Sequence, residues 1–153
     1  MKNYFYSDRC EGFSHIDVDA GLRASVGNLA NYKKALFAAL KGIRGKLPII
    51  FGMIDSNEYD GFVTIASTLS RICTSIGAAG IGEEIEYLQN TALNRNTAEL
   101  KVSLPRLGRE LEQLLTELEE LLREMDRMEK SGENYIFASS PLHNFLNENY
   151  KAI

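Results

Sequence analysis

Cysteine, histidine and proline are scarce in this chain, with two, two and three copies in 153 residues, and each scarcity excludes something. Cys10 and Cys73 are the only thiols, and Cys73 falls on an apolar helical stripe, so two reduced thiols of a cytoplasmic protein are expected rather than a disulfide. His15 and His143 stand far apart and give no metal-ligand spacing with the cysteines, so neither a metal nor another cofactor is expected. No apolar run approaches the ~20 residues of a membrane span. The N-terminal MKNYFYSDRCEG has no apolar stretch behind its lysine, which argues against a signal peptide. Positive charge is not in excess either. A net charge of −4 gives no electrostatic reason to expect nucleic acid or a membrane surface as partner.

What is present is helical periodicity. IDVDAGLRASVGN predicts a short helix stopped at Gly27-Asn28. Leu29, Tyr32, Leu36, Ala39, Ile43, Leu47, Ile50 and Ile54 then recur every three or four residues, as an amphipathic helix requires. Pro48 removes one backbone donor from it, so a kink or a break into two pieces is expected there. In the connector DSNEYDG, Asn57 is the expected N-cap of a third helix, whose stripe is Phe62, Ile65, Ala66, Leu69, Ile72, Cys73 and Ile76. Gly77 and AAGIG make the turn, and Ile81, Ile85, Leu88 and Ala92 mark a fourth helix.

The strongest signal comes last. Leu100, Leu104, Leu107, Leu111, Leu114, Leu118, Leu121, Met125 and Met128 alternate spacings of four and three. Burying nine such side chains is worth at most ~14–27 kcal/mol, at ~1.5–3 kcal/mol each. A coiled-coil dimer or an intramolecular bundle would realise that gain. Leu115 and Leu122 broaden the seam, and four other helices need a partner, so the bundle is favoured and a monomer expected, with dimerisation as the alternative. Pro105 is expected to bend this helix or to begin it. Glu117, Glu119, Glu120, Glu124 and Glu129 lie off the stripe among arginines and read as a solvated face. Beyond the SGEN break, Ser140-Pro141 and then Leu142, Phe145, Leu146 and Tyr150 predict a short tail helix. The chain thus divides into a leader (1–14), a helical bundle (15–130) and a tail (131–153).

The third helix carries a more particular pattern. It resembles the histidine-containing phosphotransfer (HPt) family, whose active helix runs Ala-His-Thr-Leu-Lys-Gly, four variable residues and Ile-Gly-Ala, then Leu and Leu-Glu further on. Ala66, Thr68, Leu69, Ile76, Gly77 and Ala78 stand in register, followed by Ile81 and by Leu88-Gln89. Ile16, Asp17, Gly21, Leu22, Tyr32 and Leu47-Pro48 resemble the family's first helix and its second, and the likeness covers residues 15 to about 128. It implies an all-α, up-and-down antiparallel four-helix bundle of HPt type with a short N-terminal helix and a C-terminal tail helix.

The departures fall on the chemistry. Ser67 stands where the family has its phosphoacceptor histidine, Ser70 replaces the lysine and Arg71 the glycine. An imidazole is a competent nucleophile near neutral pH, whereas a serine hydroxyl needs an adjacent base, and Val63, Thr64, Ser70 and Arg71 supply none. Ser70 offers a weak dipole where the lysine's charge would stabilise the transferring phosphoryl group. Opposite the apolar stripe, Ser67, Ser70, Arg71 and Thr74 are expected to be exposed. His15 and His143 have no such neighbours and are given no role. The resemblance therefore implies no enzyme and no catalytic residue, but a pseudo-HPt protein in the cytoplasm. It would bind response-regulator receiver domains or a sensor histidine kinase through Ser67, Ser70, Arg71 and Thr74. The alternative is a helical oligomerisation or scaffold module working through the Leu/Met wall.

Overall fold

A computed structural model describes residues 13–131. The leader through residue 12, with Cys10, and the segment from 132 on, with His143 and the expected tail helix, lie outside the described residues. Those described form five helices and no strand: α1 (Val18–Ala24), α2 (Leu29–Ser56), α3 (Asp60–Ser75), α4 (Ala79–Leu93) and α5 (Thr97–Ser131). The all-α expectation holds. α2 packs against α3 and α5, α4 packs against the same two helices, and α1 lies across α2 and α3. One hydrophobic core fills the ring, and all nine Leu and Met residues of the α5 wall are buried in it. The apolar driving force of that stripe is therefore spent inside the protomer.

Two helices run through their prolines. α2 is continuous from Leu29 to Ser56, so of the kink or break expected at Pro48 the break does not occur. Leu47 and Ile50 on either side belong to one buried stripe, and packing of that stripe outweighs one missing hydrogen bond. α5 begins at Thr97, eight residues before Pro105, which is interior rather than the helix start.

Asn57 is also placed differently from the expectation. It closes α2 in the left-handed conformation (φ 56°), its N–H donating to the Met53 carbonyl, while Tyr59 opens α3 with no side-chain cap. Asparagine tolerates that conformation, which is why it serves at helix ends of either kind. The caps that do form are Asp17, accepting from the Ala20 N–H at 3.1 Å, Asn28, accepting from the Asn31 N–H at 3.0 Å, and Asn96 ahead of α5, accepting from the Glu99 N–H at 3.3 Å.

The α3–α4 turn is the node that positions everything around it. Gly77 sits at φ 95°; its N–H donates to the Thr74 carbonyl and the Ala78 N–H to the Cys73 carbonyl, the paired bonds of a Schellman motif. The Gly77 carbonyl accepts the Asp17 N–H at 2.8 Å, which ties the start of α1 to the turn. A Cβ on Gly77 would fall 2.0 Å from the Asp17 carbonyl oxygen. Gly21 of α1 faces the same node, and a Cβ there would lie 2.5 Å from the Ile76 carbonyl oxygen. That carbonyl also accepts the buried Tyr32 hydroxyl at 2.9 Å.

Candidate docking face on α3

α3 turns Phe62, Ala66, Leu69 and Cys73 into the core, which brings Ser67, Arg71 and Thr74 to the surface, as expected. Ser70 departs from the expectation. It is 4% exposed and packed between α3 and α4, where its hydroxyl lies 3.1 Å from both the Gly82 carbonyl and a Glu86 carboxylate oxygen, either of which can accept its proton. The cause is Gly82. A Cβ there would stand 2.7 Å from Thr74 Oγ1, so the glycine lets α4 approach closely enough to cover a position at the edge of the apolar stripe. Thr74 is exposed but bonds back into its own helix, donating to the Ser70 carbonyl at 2.9 Å.

Ser67, Ser70, Arg71, Glu86, Gln89 and Asn90 line a shallow cleft of about 390 Å³ between α3 and α4. Gln89 organises its floor: Nε2 donates to Ser67 Oγ at 2.9 Å and to the Val63 carbonyl at 3.2 Å. Ser67 is thus held as an acceptor, with no carboxylate or imidazole on its hydroxyl among the described residues. Arg71 extends beside it, exposed and without an ion pair among the described residues. The face can offer hydrogen bonds, the Arg71 cation and the Glu86 carboxylate to a partner. Glu86 meets Ser70 and not Ser67, whose hydroxyl has no base hydrogen-bonded to it among the described residues to activate it for attack on a phosphoryl group. Gln89 entered the sequence reading only within the Leu88-Gln89 match and not as a candidate site residue: it lies 22 residues from Ser67, and only the packing of α4 on α3 brings the two together.

A second polar cluster lies across the molecule. Glu117, read from sequence as solvated, is only 8% exposed. Its two carboxylate oxygens are taken up by residues just ahead of α1: the His15 N–H donates to Oε1 at 3.0 Å, the Ser14 hydroxyl to Oε2 at 3.2 Å, and His15 Nδ1 lies 2.5 Å from Oε2. This Ser-His-Glu set is not a catalytic triad, because serine and carboxylate meet the same ring nitrogen instead of opposite ones. It is a clasp that pins residues 14 and 15 to α5. Beside it opens a cleft of about 690 Å³ whose lining includes His15, Asp17, Gly80 and Glu110. Burial, reinforced by the Glu84 carboxyl, raises the Glu110 pKa above the ordinary carboxylate range, with Arg106 opposing. On the far side of α5, Lys33 of α2 joins Asp126 at 2.5 Å and Glu129 at 3.0 Å.

Cys73 is a free, fully buried thiol, and burial pushes its pKa up to about 12. Among the described residues no helix is long and apolar enough to cross a membrane. Compared with protein-family models, with curated proteins and with solved structures, the chain matches none.

Proposed function

We propose that this protein is a non-enzymatic signalling component of a two-component phosphorelay, a pseudo-HPt protein that binds receiver domains or a sensor histidine kinase without carrying phosphate. Four long helices packed in a ring and joined by the three-residue connectors 57–59, 76–78 and 94–96 support an up-and-down antiparallel bundle of that type. The observation that carries the reading is Ser67. It is exposed on α3 at the position the resemblance assigns to the phosphoacceptor, held by Gln89 as an acceptor, with Arg71 extended beside it. Such a face can occupy a receiver and cannot relay a phosphoryl group through it. Binding then works by competition with an active carrier or by scaffolding.

Titration of the full chain with receiver domains from the same cell tests this, with Arg71→Glu as the surface variant. Specific binding weakened at least several-fold by Arg71→Glu is the expected result. Absence of binding to every receiver and kinase, or phosphoryl transfer from an aspartyl-phosphate onto the wild-type chain, sinks the proposal. A variant aimed at restoring transfer should combine Ser67→His with Arg71→Gly and leave Ser70 alone, because a lysine at that buried position would disturb the α3–α4 packing.

A further inference from the structure

Two opposite charges share the α3–α4 cleft without meeting. Arg71 lines it from α3 and Glu86 from α4, both are exposed, and neither has an ion pair among the described residues. What Glu86 has instead is neutral. Its Oε1 lies 3.1 Å from the Ser70 hydroxyl, whose one proton is also within reach of the Gly82 carbonyl at 3.1 Å. Glu86 Oε2 has no hydrogen-bond partner among the described residues. Where the HPt resemblance has a lysine, Ser70 thus brings no charge, and the carboxylate across from it stays unneutralised.

The floor of the cleft is polarised in the same sense. A backbone carbonyl only accepts, so the Gln89 nitrogen must face Val63, and this fixes which way round the amide sits. With Nε2 donating to the Val63 carbonyl and to Ser67 Oγ, Gln89 Oε1 is left over as an acceptor. Glu86 and Gln89 are three residues apart and so neighbours on the surface of α4. The α4 side of the cleft therefore offers two unused acceptors, one of them charged, while Arg71 offers donors and positive charge on the α3 side. Opposite charges carried on separate helices select a partner by the sign of its groups and by its orientation. A partner that fits brings a cation to α4 and an anion to α3.

We propose that Glu86 is a specificity-determining residue of the docking face: a cationic side chain of the receiver or kinase seats against Glu86 and Gln89 Oε1, with a carboxylate of the same partner beside Arg71. The inference rests on the phosphorelay reading and is tested with a receiver domain that binds the wild-type full chain. Glu86→Gln keeps the shape and an acceptor and removes only the charge. It should weaken binding about tenfold and flatten its salt dependence, with the unfolding midpoint unchanged because the residue is exposed. Glu83→Gln is the control, exposed one turn away on α4 and outside the cleft. It should change binding by less than about twofold. Tighter binding by Glu86→Gln overturns the inference, since the carboxylate would then repel the partner or hold Arg71 back from it. Unchanged binding overturns it too, and so does a loss that Glu83→Gln matches. In each of those cases binding that is still weakened by Arg71→Glu leaves the phosphorelay reading standing, whereas absence of binding to every receiver and kinase removes both.

Discussion

At the α3–α4 turn packing dictates every residue, while about three turns back along α3 it dictates almost none. Gly77 meets a positive φ and the Asp17 carbonyl together, and Gly21 and Tyr32 close on the neighbouring Ile76 carbonyl. Ser67, Arg71 and Thr74 project from the same helix with a single tertiary side-chain bond among them, from Gln89 to Ser67. The contrast bears on how the family resemblance is weighed. The aligned Ile-Gly-Ala is what this turn requires for its own geometry, whatever the protein does. Nothing in the packing requires serine and arginine at 67 and 71, so the proposed docking role rests on those positions and not on the turn.

Four measurements would break or sharpen that contrast. The largest effect is expected for Gly77→Ala, which combines left-handed strain with a collision against backbone and should cost about 2–4 kcal/mol in denaturant unfolding. Ser67→Ala should stay within about 0.5 kcal/mol. Equal costs at the two sites would erase the distinction. Next comes the clasp. His15→Ala leaves the nearly buried Glu117 short of its closest partner and should cost about 1–2 kcal/mol, whereas exposed Glu119→Gln on the same helix should be close to neutral. If the two cost the same, the clasp is ornamental.

A smaller effect of opposite sign belongs to Val26. This exposed β-branched residue takes φ 56° just past α1, and its N–H donates to the Arg23 carbonyl while the Gly27 N–H donates to the Leu22 carbonyl. The arrangement matches the Gly77 turn but lacks glycine at the strained position, so Val26→Gly should stabilise the protein by about 1 kcal/mol. Destabilisation would mean that the strain is not there. The smallest effect is a pH slope. A carboxyl whose pKa is raised on folding contributes stability that is full below its unfolded value and lost as pH rises through its folded one. Relative to Glu110→Gln, the wild type should therefore lose stability as pH climbs from about 4 towards 7. Parallel curves would dismiss the raised pKa.

The helices were legible because their signal is local and repeated. The α5 wall is buried residue for residue as its spacing requires, and so are the centres of the stripes on α2 and α3. Single punctuation marks were less informative. Pro48 and Pro105 read as bends or boundaries and are interior, since long apolar stripes on both sides hold the helix together around one missing bond. Asn57 read as a start and is an end, because the same short amide side chain suits both roles. His15 and Glu117 are 102 residues apart, and no local pattern links them.

The amino-acid sequence alone determined that residues 13–131 are helical and which stripe of each helix turns inward, while it left open whether α2 is one helix or two at Pro48. Periodicity is a property of the helix itself and needs no knowledge of its neighbours. Only the tertiary structure decided the fate of polar residues at the margins of those stripes. Ser70 is covered because the helix facing it carries Gly82 and comes close, and Glu117 because residues 14 and 15 cross over it. At such a margin burial depends on the size and chemistry of whatever packs opposite, and that partner is distant in the chain.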